Sequence, residues 1–163
     1  LPALHRATVA ALIRGNVGAF QAFGDHCRLT MLRFSSSAWD GQPEAEWNVL
    51  SHILPIYRLF PNSVLVFQSD HLETWRMLPG ATPECSTIEF ALYCPEPPVT
   101  DKARNYWRKN YDLAIRTVLE EDFALGEKMQ RGFMSGVQDE VIYGRNEPAL
   151  IHFHQRLRAA LAA

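Results

Sequence analysis

Asp122 is the residue whose type and position most invite chemistry. After Thr100, apolar and small residues recur at Trp107, Tyr111, Ile115, Val118, Gly126, Met129 and Phe133, mostly in steps of three or four. The one long step, from Val118 to Gly126, has Asp122 at its midpoint. That spacing puts a carboxylate in line with the buried stripe of a long or kinked helix. An ionised carboxylate in such a place must be neutralised, hydrogen-bonded or bound to a metal. The competing reading is a helix that breaks near Glu120, with Asp122 capping the next segment. Leu125, where a capping box would carry Glu or Gln, counts against it.

The other reactive residue types form no motif. The histidines are His5, His26, His52, His71, His152 and His154, with no HExxH pair among them. His152 and His154 are two apart on an expected helix, so they point to different faces and cannot share an ion. The chain has no GxGxxG, P-loop or GxSxG signature. Ser35-Ser36-Ser37 reads as a flexible loop, and Arg104, Arg108, Lys109 and Arg116 as the solvated side of a helix. Cys27, Cys85 and Cys94 are odd in number and lack CxxC spacing, which points to free thiols in a reducing, cytoplasmic setting.

The elements that must position Asp122 come in two blocks. Residues 7–23, rich in Ala, Val, Leu and Ile with Gly15 and Gly18, read as short helical turns. Residues 26–34 read as a strand, and residues 35–43 as a loop. Runs 55–60, 63–69 and 71–78 read as strands, broken by Pro61-Asn62-Ser63 and by Ser69-Asp70. Run 85–94 has period two, with Ser86, Ile88, Phe90, Leu92 and Cys94 on one face, the mark of a half-buried antiparallel strand. Pro95-Glu96-Pro97-Pro98 ends it. Thr100 is placed to cap a helix from about Asp101 to about residue 134. Asn146 and Pro148 open a closing helix over about 147–161. Strands followed by long helices give an α+β fold class.

Composition narrows the function classes. At 163 residues the chain is long enough for one domain with a core of its own, here taken as 1–163. Sixteen basic against 18 acidic residues, a net charge of −2, argue against a general nucleic-acid binder. No apolar run is long enough to span a membrane. The opening Leu1-Pro2-Ala3-Leu4-His5 is not a signal peptide.

One set of residues resembles a family from end to end. Glu121-Asp122 with Glu127, Gln130-Arg131-Gly132, Ser135-Gly136, Tyr143-Gly144-Arg145-Asn146-Glu147 and His152-Phe153-His154 are similar to the end of the catalytic domain of Rieske non-haem iron oxygenase α subunits. Gly24-Asp25-His26-Cys27-Arg28, Phe60-Pro61-Asn62 and Pro79 ahead of the 85–94 run follow the same order. The resemblance implies an antiparallel sheet curled around a long C-terminal helix, the helix-grip or START/Bet v1-like architecture. It implies a mononuclear Fe(II) held by two histidines and an aspartate. Asp122 matches the aspartate, and His5 the second histidine; the first would fall immediately before Leu1. A [2Fe–2S] cluster, held by Cys-x-His and Cys-x-x-His pairs that this chain lacks, would belong to a preceding Rieske domain.

The implied reaction is activation of O2 to hydroxylate or demethylate a small organic substrate, an aromatic compound or a quaternary amine. Implied partners are an electron-transfer reductase or ferredoxin and, for the full-length subunit, two further copies in a homotrimer. The chain alone is then expected to be inactive. From strand alternation, Phe90 and Leu92 are the expected substrate contacts. The rival expectation is a non-catalytic helix-grip module that binds a hydrophobic ligand, with Asp122 hydrogen-bonded.

Overall fold

The computed structural model describes residues 18–137 and 140–163. Six strands form one antiparallel sheet in sequence order: β1 (Gly18–Phe23), β2 (His26–Leu32), β3 (Ile53–Leu59), β4 (Ser63–Phe67), β5 (Leu72–Pro79) and β6 (Ser86–Tyr93). Each neighbouring pair is joined locally, so the chain meanders without a crossover. Between β2 and β3 come 3₁₀ turns at Phe34–Trp39 and Glu44–Glu46 and the short helix α1 (Val49–His52). The sheet is followed by α2 (Asp101–Thr117), a π-helical turn (Val118–Phe123), α3 (Ala124–Met134) and α4 (Pro148–Leu161). This is the expected α+β architecture, a curled antiparallel sheet with a long helix.

Several local expectations fail for physical reasons. Gly18–Phe23 is a strand, where helical turns were expected; residues 7–17 lie outside the described residues. Its Gly and Ala content is poor strand material. Pairing decides instead: Gly24, at φ +61°, closes a tight turn and sets Phe23 against His26 and Gly18 against Met31. The stretch expected as a loop around Ser35-Ser36-Ser37 winds into the 3₁₀ turn Phe34–Trp39. Asn146 does not cap α4; Glu147 takes that place, and its own carboxylate accepts the Gly144 N–H.

Other elements form as their residues dictate. The Thr100 hydroxyl accepts the Ala103 N–H at 3.1 Å and starts α2. Gly136, at φ +68°, ends α3, with its N–H on the Phe133 carbonyl at 3.1 Å. His152 and His154 do diverge: His152 Nε2 donates to the Gly24 carbonyl at 3.0 Å, while His154 stacks on Tyr143. With the Arg156–Asp25 pair at 3.7 Å, His152 fastens α4 to the β1–β2 turn. His26 Nδ1 likewise serves the fold, accepting the Phe60 N–H at 3.0 Å. Cys27 is 2% exposed, and burial pushes its thiol up in pKa against the smaller pull of Arg58, so it is an inert core thiol. Among the described residues no helix is long and apolar enough to cross a membrane.

Candidate functional site

The register of β5 on β6 builds one wall of a cavity. Trp75 lies opposite Phe90, and their rings are 4.1 Å apart between centroids. Period two brings Ile88 to the same face as Phe90. The opposing wall is the long helix, which supplies Ile115, Leu119 and Phe123. Phe123 meets the edge of Trp75 at 6.3 Å, and Tyr111 reaches Phe90 at 5.0 Å. Between these walls is a cavity of about 730 Å³, within the range of pockets for small organic molecules.

Asp122 stands on the helix wall of this cavity. It lies within the π-helical turn Val118–Phe123, where the Ala124 N–H reaches back five residues to the Leu119 carbonyl. Such single turns of wider helix insert one extra residue, re-aim the side chains around it and recur at functional sites. The helix residues that line the cavity are Ile115, Leu119, Asp122, Phe123, Gly126, Glu127 and Gln130. The expected stripe is therefore displaced beyond Ile115. Tyr111, Met129 and Phe133, all expected on the buried face, are exposed, and Leu119 and Gln130 line the cavity. Asp122 itself is exposed, where the spacing put it on a buried stripe; it borders the cavity and is not enclosed in the core.

The mouth is acidic. Glu84, in the β5–β6 loop, and Glu127, on α3, line it from opposite sides, and Cys85, Ser86 and Gln130 complete the polar part. Gly80 keeps the loop tight: its N–H donates to the Cys85 carbonyl at 2.9 Å, leaving no room for a side chain.

Beside Trp75, on the same face of β5, lies a polar cluster. Glu73 is only 7% exposed, and its carboxylate accepts from Trp75 Nε1 and Gln68 Nε2, each at 3.3 Å. His71 Nε2 is also 3.3 Å from Glu73, and its Nδ1 is 2.7 Å from Asp70. Arg33 binds Gln68 at 2.6 Å and the Ile53 carbonyl at 3.0 Å. Burial pulls the Arg33 pKa down against the opposing pull of Asp70 and Glu73. The Tyr106 hydroxyl on α2 donates to Asp70. Burial raises the Asp70 pKa, but Tyr106 and His71 outweigh it and hold the carboxyl below its ordinary value.

Of the residues singled out from sequence, Asp122 and Phe90 line this cavity, Leu92 does not, and His5 lies outside the described residues. Leu92 shares the face of Phe90 but sits opposite Glu73, beyond the cavity. Among the described residues no three His, Cys, Asp or Glu side chains gather as around a metal. Trp75, Glu84 and Phe123 also line the cavity and were not singled out from sequence, while Glu127 entered there only as part of the family resemblance. Trp75 alone had a signal: an inward-facing Phe90 on β6 needs a large apolar partner on β5.

A family model described as "Ring hydroxylating alpha subunit (catalytic domain)" matches residues 1–163. Among curated proteins and solved structures nothing matches the chain.

Proposed function

The chain belongs to the family of ring-hydroxylating α-subunit catalytic domains, and on that premise we propose that it is the catalytic portion of a Rieske-type non-haem iron oxygenase that hydroxylates or demethylates a small organic substrate, an aromatic compound or a quaternary amine. The observation that carries this reading is Asp122 on an irregular helical turn at the wall of a largely apolar cavity.

The donor chemistry fits Fe(II). A carboxylate oxygen with two imidazoles suits ferrous iron and leaves positions for O2 and substrate. Asp122 would supply the oxygen and His5 one imidazole, with the second expected immediately ahead of Leu1. Iron bound there supplies reductive activation of O2, with electrons from a [2Fe–2S] cluster in a Rieske domain.

The chain's own residues do the rest. Trp75, Phe90 and Phe123 present ring faces and edges that orient a flat or branched apolar body. Ile88, Ile115 and Leu119 exclude water around it, which strengthens every electrostatic contact at the site. Asp122 brings one negative charge, which offsets part of the charge of a divalent ion. A ferredoxin or reductase as electron donor and a homotrimeric, cytoplasmic subunit belong to the same proposal.

The test uses the full-length subunit with its electron donor. The wild type forms product only when O2 is present, and Asp122→Ala abolishes product while circular dichroism is unchanged. Equal turnover in the two proteins would refute the assignment. Ligand binding without any oxygen-dependent product would favour the non-catalytic module.

A further inference from the structure

A groove of about 800 Å³ adjoins the cavity on the same face of the sheet. Three successive cross-strand pairs of β5 and β6 lead from one to the other. Trp75 and Phe90 line the cavity. In the next pair Ile88 lines the cavity and Met77 the groove. In the third, Pro79 lines the groove and Ser86 lines both. The far wall of the groove is α4. His152 and Arg156, one turn apart, fasten that helix to the β1–β2 turn, and the next positions along, Phe153 and Leu157, line the groove. The near wall is the β5–β6 loop, held by the Gly80 N–H on the Cys85 carbonyl at 2.9 Å and the Cys85 N–H on the Thr82 carbonyl at 3.0 Å. None of the described residues that line the groove is charged, whereas the mouth of the cavity carries Glu84 and Glu127.

We propose that cavity and groove form one elongated site, whose ligand is a long apolar molecule with its reacting head in the cavity beside Asp122 and an uncharged alkyl or aryl tail in the groove. The inference deepens the oxygenase reading, on which the word reacting rests; the shape of the ligand does not depend on it. From Phe90 to Ser86 the strand advances by about 13 Å, at roughly 3.3 Å per residue, so a single ring occupies only one end. Apolar surface continuous with a binding cavity marks a ligand groove, and a tail that covers it displaces water from Met77, Phe153 and Leu157. A tail that left by the mouth would lie between two glutamates, which keep their water. A fully buried methylene is worth about fourfold in affinity. Met77 and the loop residue Ala81 are exposed, so the groove is open on one side and about two- to threefold per methylene is expected.

Calorimetric titration of the full-length protein tests this with 4-ethylphenol, 4-butylphenol and 4-hexylphenol, all neutral at pH 7. Affinity is expected to rise along the series, by at least about tenfold from ethyl to hexyl. In Leu157→Glu, which sets a charge in the groove, the hexyl probe loses at least about tenfold while the ethyl probe changes less than about twofold. The unchanged ethyl probe shows that the fold and the cavity survive, and Ala81→Glu on the opposite wall repeats the test should the helix variant not fold. Affinity that stops rising after the ethyl probe would overturn the proposal. So would a hexyl affinity unchanged in both variants, an equal loss for both probes in both variants, or no binding of any probe. The catalytic reading is judged separately, by oxygen-dependent product. Chain-length dependence in a protein without turnover leaves this inference standing and removes that one, and an oxygen-active enzyme indifferent to chain length does the reverse.

Discussion

Glu73 lies beside Trp75 on the same face of the sheet and Asp122 on the helix wall of the cavity, and the fold gives the two carboxylates different surroundings. Glu73 is buried and accepts from Trp75 and Gln68, with His71 against it. Its strand is regular and its neighbours are fixed by cross-strand register. Asp122 is solvent-accessible on a turn where the helix widens, facing a cavity. A carboxylate surrounded by donors on a regular element holds a wall in place. One at an irregular turn on a cavity is placed to meet something that enters. The cost of burying charge explains the first, since a buried carboxylate persists only with partners.

If that contrast is right, Glu73→Leu is the most damaging change on the sheet side. It strips acceptors from Trp75 and Gln68, and about 2–4 kcal/mol of stability should be lost, as when one member of a buried network is removed. Urea denaturation of the full-length protein measures it. A loss near zero would mean that Glu73 does not hold the wall.

Gly80→Ala sharpens the contrast at the mouth. A Cβ there would lie 2.6 Å from the Cys85 carbonyl oxygen, so the backbone of the Glu84 loop must move. About 1–3 kcal/mol of strain is expected, the range for forced overpacking. The helix side that carries Asp122 should be untouched, and iron content of the full-length protein together with a thermal melt reads both effects.

Thr100→Ala acts on the helix side, far from the cavity. Loss of the hydroxyl that accepts the Ala103 N–H should cost about 1 kcal/mol. The same melts show it, and a larger loss would make the start of α2 more central than its exposure suggests.

Tyr106→Phe gives the smallest effect and a pH signature. Asp70 has a folded pKa held below its ordinary 3.8 by Tyr106 and His71 acting against burial. A depressed carboxylate pKa contributes stability that is present above the unfolded value and is lost as pH falls through the folded one. Without the Tyr106 hydroxyl the Asp70 pKa should rise toward 3.8, so the stability this carboxylate contributes above that pH, and the acid loss of it, should both shrink. An NMR titration of the Asp70 carboxyl checks the direction; no upward movement would remove Tyr106 from the cluster's electrostatics.

The same contrast explains what could be read from the sequence. Period two at 85–94 exposed β6, and Thr100 marked the start of the long helix, because both signals are local. Gly18–Phe23 was missed because its strand identity comes from pairing with β2 across Gly24. Asp122 was legible as an interruption of an apolar repeat. The π-helical turn that moves the cavity face onto Leu119 and Gln130 was not, since nothing in the residue types announces a five-residue hydrogen bond. Glu73 and Glu84 carry no signal in the sequence and Glu127 stands out only within the family resemblance; their places beside the cavity come from register, loop and helix brought together in space.

The central claim is that Asp122 and His5 ligate one iron, although the chain separates them widely. Anaerobic titration of Fe(II) into full-length protein stripped of its mononuclear iron tests it directly. The wild type should bind one ferrous ion per subunit at this site. Asp122→Ala and His5→Ala should each weaken that binding by at least about 10–100-fold, because even outer partners of metal ligands are worth that much. Affinity that is unchanged in either variant would contradict the site.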